Sequence, residues 1–120
     1  MKPCIQETSF GSIKIDDKVY EHDVIIRLNG EVKKRKKKLS KVIYDSSHTV
    51  SLDEAKHIYD KGAKKVVIGS GQYGALGLSN EAKEYFKKKD CVIELLPTPK
   101  AVETWNKSKS GKIGMFHLTC

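Results

Sequence analysis

The stretch VVIGSGQYGAL, Val66 to Leu76, carries glycines at 69, 71 and 74, the G-x-G-x-x-G spacing of loops that cradle the pyrophosphate of dinucleotides. That chemistry needs a helix beginning inside the glycine run, so that its free N–H groups and positive end face the phosphates. Here the first clear helix cap after the loop is Ser79, well beyond Gly74. The acidic residue that holds a ribose belongs about twenty positions on, at the end of the next strand. Glu94 has the distance, but Leu95 and Leu96 still follow it within the strand, and the residues after it are too few for a nicotinamide-binding half. A P-loop is excluded because no Gly-Lys-Ser/Thr follows. The spacing therefore reads as a tight strand-to-loop turn, and no NAD, NADP or FAD cofactor is expected.

Other reactive side chains form weaker patterns. His117 and Cys120 are three apart, which on an extended strand sends them to opposite faces, so no metal site is expected. His48, in the polar stretch DSSHT beside Asp45 and Ser46, reads as a surface histidine rather than a general base. Cys4, Cys91 and Cys120 are an odd set without C-x-x-C spacing, so reduced thiols are expected, with Cys91 buried at the head of CVIELL. No catalytic residue is assigned.

The elements that must hold these residues change character along the chain. Residues 10–36 alternate with period two: Ile13 and Ile15 against Lys14 and Asp16, a turn at Asp16-Asp17-Lys18, then Val24, Ile26 and Leu28 on one face. Asn29-Gly30 predicts a type I′ hairpin turn with φ > 0 at both residues. These features predict an antiparallel β-meander. Residues 51–118 alternate helix and strand. Ser51-Leu52-Asp53-Glu54 is a capping box that opens a helix with Leu52, Ala55, Ile58 and Tyr59 on one stripe, ended near Gly62. A strand at Lys65 to Ile68 follows, then a helix capped by Ser79 with Ala82, Tyr85 and Phe86 inward, and a strand from Cys91 to Leu96. Thr98-Pro99 predicts a cap and a first-turn proline for a third helix to about Lys109, in which Trp105 is a core residue. Ile113 to Leu118 closes the chain as a strand. The fold class predicted is α/β, a single domain over residues 1–120 with helices on a central mixed sheet.

Two binding regions follow from this layout. If the strands before the glycine loop and before Pro97 are parallel, their carboxyl ends share one sheet edge, where ligands of open α/β sheets bind. Two readings of that edge stand: Ser79 and Thr98 merely cap their own helices while Tyr73 closes the crevice, or a small anion is expected there, held by Gly69, Gly71, Gln72 and Thr98 with Lys100 nearby, in a small-molecule-binding enzyme or sensor. The second region is basic: Lys33, Lys34, Arg35, Lys36, Lys37, Lys38 and Lys41 face a single acid, Glu31, so this run carries most of the formal charge of +8. Without interleaved aromatics it reads as a solvated hairpin arm in preference to a nucleic-acid patch. No apolar run approaches the ~18 residues of a membrane span, and no apolar core of a signal peptide follows the start. A cytoplasmic protein with no membrane partner is expected.

Several stretches together resemble a known family: SFGSIKIDDKVYEHDVII, KKVVIGSGQ, VIELLPTPKAVETWN and FHLTC. They are similar to the small single-domain family first defined by a methanogen hypothetical protein, which includes an adipogenesis-associated domain protein and, more distantly, a mitochondrial complex I assembly factor. The resemblance implies a three-layer α/β domain with no known enzymatic activity, cofactor or catalytic residues. It also implies protein partners, since the animal members look like assembly or regulatory proteins. The chain departs from those members between Asn29 and Tyr44, where KKRKKK replaces a segment that carries tryptophans and few charges there.

Overall fold

A computed structural model describes residues 3–46 and 48–120. The chain opens with β1 (Ile5–Ser9), β2 (Ser12–Ile15) and β3 (Lys18–Tyr20), an antiparallel sheet in that order. Asp16 and Asp17 turn β2 into β3 with φ of 47° and 70°, the left-handed pair of a type I′ turn. Two further strands, β4 (Val24–Ile26) and β5 (Val32–Lys34), leave this sheet for a larger one. The meander expected over residues 10–36 is therefore divided at Asp23, whose main-chain oxygen accepts the Arg35 N–H at 2.9 Å and whose side chain accepts that of Leu118.

The β4–β5 turn also differs from expectation. Only Gly30 has positive φ; its N–H reaches Arg27 O, and Arg27 N–H reaches Glu31 O. This is a three-residue loop rather than a two-residue type I′ turn. The Leu28 N–H is held by Asp60 Oδ2 at 2.9 Å, which fixes the longer loop against the body of the domain.

Beyond β5 the chain forms α1 (Lys38–Tyr44), β6 (Thr49–Val50), α2 (Leu52–Ile58), β7 (Lys65–Ser70), β8 (Gly77–Leu78), α3 (Asn80–Lys88), β9 (Val92–Leu96), α4 (Thr98–Lys107) and β10 (Lys112–His117). The central sheet has the order β5-β4-β10-β7-β9, with β10, β7 and β9 parallel and β4 and β5 antiparallel to their neighbours. The parallel β7–β9 pair is the arrangement the single crossover required.

Alternation along the strands builds a core on each face. Ile25, Val66, Ile68, Ile113 and Met115 pack with Ala55, Ile58, Ala82 and Phe86 of α2 and α3. Val24, Ile26, Val67 and Phe116 pack with Trp105 of α4 and with Ile5, Ile13 and Ile15 of the small sheet. Helices, central sheet, then α4 with the small sheet are the three layers. Gly114 lies where Trp105 crosses β10: an added Cβ would meet Phe116 Cε1 at 2.8 Å and Trp105 Cζ3 at 3.1 Å. Trp105 is wholly buried, and its Nε1 donates to Pro3 O.

Two helix starts depart from the predicted capping. Ser51 Oγ accepts the Glu54 N–H at 3.1 Å, but the Ser51 N–H goes to Ser40 Oγ, so the box is half formed. Thr98 makes no cap; its helix starts from Pro97, and its hydroxyl is used between strands. Ser79 caps α3 as expected, accepting from the Ala82 N–H. The short helix α1 stands where the sequence suggested only the end of a basic hairpin arm.

Candidate functional site

α3 follows β7 on one face of the sheet and α4 follows β9 on the other. Their departures in opposite directions open the carboxyl edge between Gly69–Gly74 and Pro97–Thr98, where such sheets bind ligands. The structure brings Gly69, Gly71, Gln72 and Thr98 together there. Thr98 Oγ1 accepts the Gly71 N–H at 2.9 Å and donates to His117 O at 2.6 Å, and the Thr98 N–H returns to Gly71 O. One hydroxyl thus ties the ends of β7, β10 and α4. An added Cβ on Gly69 would lie 2.8 Å from that hydroxyl, which explains the glycine. Lys100 is exposed in the first turn of α4.

The anion expected in this crevice meets a prior occupant. The Gln72 N–H donates to Thr119 O at 2.7 Å and the Ala75 N–H to Cys120 O at 2.9 Å. Gly74 N–H turns back to Gly71 O, and Leu76 N–H to Ser70 O. Gly71, with φ of +104°, is packed so closely that an added Cβ would fall 2.3 Å from the Cys120 main-chain carbon. The chain segment after β10 therefore accepts the hydrogen bonds that a phosphate or carboxylate was expected to take. The Gln72 side chain reaches the β1–β2 turn, donating to Thr8 Oγ1 and Ser9 O at 3.2 Å each.

A second polar cluster lies beside the first and was not anticipated. Arg35, read as part of the basic run, is buried. Its Nε and Nη2 fork onto Glu54 Oε2 and Oε1 at 2.5 and 3.0 Å, and its Nη1 donates to Asp23 Oδ2 at 2.9 Å. Asp23 Oδ2 also receives His117 Nδ1 at 2.7 Å, and Oδ1 receives the Leu118 N–H. Ser40 Oγ donates to Glu54 Oε1. Burial opposes ionisation of Asp23, but the bonds from His117, Leu118 and Arg35 outweigh it and hold the carboxyl below its ordinary range. Burial likewise opposes the charge on Arg35, and Glu54 and Asp23 overcome it, raising Arg35 above its ordinary value.

This arrangement aligns Asp23, His117 and the Thr119 hydroxyl, which lies 3.4 Å from His117 Nε2. A carboxylate, an imidazole and a hydroxyl in that order are the parts of a general-base relay. The first two are closed in, with His117 and Asp23 side chains 4% and 9% exposed and the exposed His48 ring edge-on to His117 at 5.3 Å, whereas Thr119 is half-buried. The cluster joins β5, α1, α2 and β10 in the interior. Among the described residues no three of His, Cys, Asp or Glu gather as a metal site.

Residues 5–112 match the family described as "Protein of unknown function (DUF498/DUF598)". The chain belongs to that family. It is similar over its full length to the conserved hypothetical protein PH1505 from Pyrococcus horikoshii OT3, with 31% identity, all of both chains covered and a TM-score of 0.86. Its fold is shared by the protein MT938 (24% identity, 99% of this chain and all of that one, TM-score 0.83). It is also shared by a Mth938-like domain from Bordetella pertussis (13% identity, 97% of this chain and 85% of that one, TM-score 0.63). The methanogen-defined family read from the four sequence stretches is thus the right one. No helix among the described residues is long and apolar enough to cross a membrane.

Proposed function

We propose that this family member is a cytoplasmic, non-enzymatic binding or assembly module that acts through a protein partner. The observation that carries the reading is the open edge of the central sheet. β9 is one of the two edge strands, β5 being the other, and its Val92 and Leu95 are 60% and 38% exposed. Between β9 and α3 runs a groove of about 630 Å³ floored by Leu78, Cys91, Ile93 and Leu95. An outer strand offers unpaired main-chain groups, and an extended segment of a partner adds to it by hydrogen bonding while its side chains fill an adjacent apolar groove. Further support comes from the two polar clusters, whose donors and acceptors are turned onto the protein's own chain. The free thiols Cys4, Cys91 and Cys120 fit a reducing compartment.

The test is affinity purification from extract of the protein's own cells, with mass spectrometry of co-purifying proteins and small molecules, comparing the native chain with V92E/L95E. A protein recovered with the native chain and lost with the variant is the expected result. Recovery of the same proteins with both chains, or of a small molecule alone, sinks the reading.

A further inference from the structure

The C-terminal half of α1 projects from the body of the protein. Its inner residues are Leu39 and Ser40, the latter bonded to Glu54, whereas Val42, Ile43 and Tyr44 are 79, 54 and 39% exposed. Consecutive residues of an α-helix point about 100° apart. Three consecutive exposed apolar side chains therefore form a knob, not a face. Asp45, with φ of 53°, ends the helix there, its N–H on Lys41 O.

The chain leading into the knob is basic. Lys33, Lys34, Lys36, Lys37, Lys38 and Lys41 are all exposed, while Arg35 among them turns inward onto Glu54 and Asp23 and anchors the segment. The acids of this stretch are Glu31, which pairs with Lys33 at 3.9 Å, and Asp45. An apolar tip beside a field of lysines thus stands on a base anchored by buried Arg35.

Three classes of anionic partner meet such a surface differently. Nucleic acid offers phosphates to lysines and could stack a base on Tyr44, but it gives Val42 and Ile43, the two most exposed residues of the tip, nothing. A folded acidic protein needs a flat or grooved match, which side chains spread around a helix end do not present. A lipid headgroup layer offers anionic groups at its surface and an apolar boundary a few ångströms below, and it closes around a knob of any shape. We propose that the α1 knob docks on a membrane surface rich in anionic phospholipid, with Val42 and Ile43 entering the headgroup–acyl boundary and Lys36, Lys37, Lys38 and Lys41 meeting the phosphates. The expectation of no membrane partner rested on the lack of a spanning segment, which a knob at this depth does not need.

The experiment is co-sedimentation with vesicles of phosphatidylcholine alone or with about 30% phosphatidylserine, at an ionic strength of about 0.15 M. The protein is expected on the anionic vesicles only. K36Q/K37Q/K38Q lowers the partition coefficient roughly a hundredfold, at about fivefold per lysine. V42S/I43S, with every lysine kept, lowers it roughly tenfold. Both variants change exposed residues, so their melting temperatures stay at the native value. V92E/L95E binds vesicles like the native chain, so this proposal and the sheet-edge reading stand or fall separately. Absence from anionic vesicles overturns the proposal, and so does binding indifferent to V42S/I43S, which is adsorption of lysines alone. An RNA duplex or polyglutamate bound with the same dependence on Val42 and Ile43 overturns it in favour of another partner class.

Discussion

Arg35 and Glu54 form a forked ion pair in which neither side chain is exposed, joining the end of β5 to the first turn of α2. Buried pairs of this kind contribute little net stability when intact, because desolvation offsets the attraction, but breaking one leaves an uncompensated charge. Replacing Arg35 by methionine leaves the buried Glu54 carboxylate without its counter-ion and takes one donor from Asp23, which keeps those of His117 and Leu118. The expected loss is about 3 to 5 kcal/mol in urea unfolding. R35K recovers little, since an ammonium cannot reproduce the fork, and K36Q at the exposed neighbour stays within about 0.5 kcal/mol of the native chain. An R35K protein of native stability contradicts this account.

The acid limb of the stability curve follows from Asp23. Its folded carboxyl lies below the ordinary 3.8, because the donors from His117, Leu118 and Arg35 outweigh the cost of burial. Between the two values the unfolded chain binds the proton and the folded chain does not. The stabilisation is therefore complete above 3.8 and disappears as pH falls through the lower folded value. Unfolding free energies measured from about pH 5 to about pH 2 should fall more steeply for the native chain than for D23N. Equal slopes would show that Asp23 titrates alike in both states.

Thiol chemistry separates the three cysteines. Burial pushes the Cys91 thiol up to about 11, whereas Cys4 and Cys120 are exposed. The thiolate is the reactive form. A disulfide reagent at about pH 8 should modify two thiols per native chain promptly and the third only on unfolding. Prompt reaction of C4S/C120S, which keeps Cys91 alone, would contradict the buried placement.

The order of elements was legible because apolar period and cap signals agree from Ser51 onward, and Ser79 caps its helix as its position suggests. Arg35 was not legible. Within a run of cations no spacing marks the one that turns inward, and its partners Asp23 and Glu54 stand 12 and 19 positions away. Glu54 looked like the second half of a capping box; Ser40 Oγ instead accepts the Ser51 N–H, and the Glu54 carboxylate accepts from Arg35 and Ser40. Helix α1 was hidden for a related reason: Val42, Ile43 and Tyr44 project outward, so no core-facing stripe forms. Thr98 had the type and place of a cap, and only the approach of Gly71 and His117 gives its hydroxyl other work.

The glycine loop yields the sharpest contrast between spacing and structure. At Gly71 an alanine meets two obstacles, a φ of +104° and a Cβ position 2.3 Å from the Cys120 main-chain carbon, which is backbone and cannot rotate away. G71A must therefore expel residues 119–120 or distort the loop, at about 2 kcal/mol or more. G77A, with open space around the added methyl and no positive φ, stays within about 0.5 kcal/mol of the native chain. Hydrogen exchange at the Gln72 and Ala75 amides, which donate to Thr119 and Cys120, should speed up in G71A and not in G77A. The same commitment of donors predicts that phosphate titrated into the native protein leaves the amide resonances of residues 69–74 and 98–100 in place. Phosphate-dependent shifts at Gly71 and Gln72 would mean that the segment after β10 yields to an anion, and the loop would then be a binding site after all.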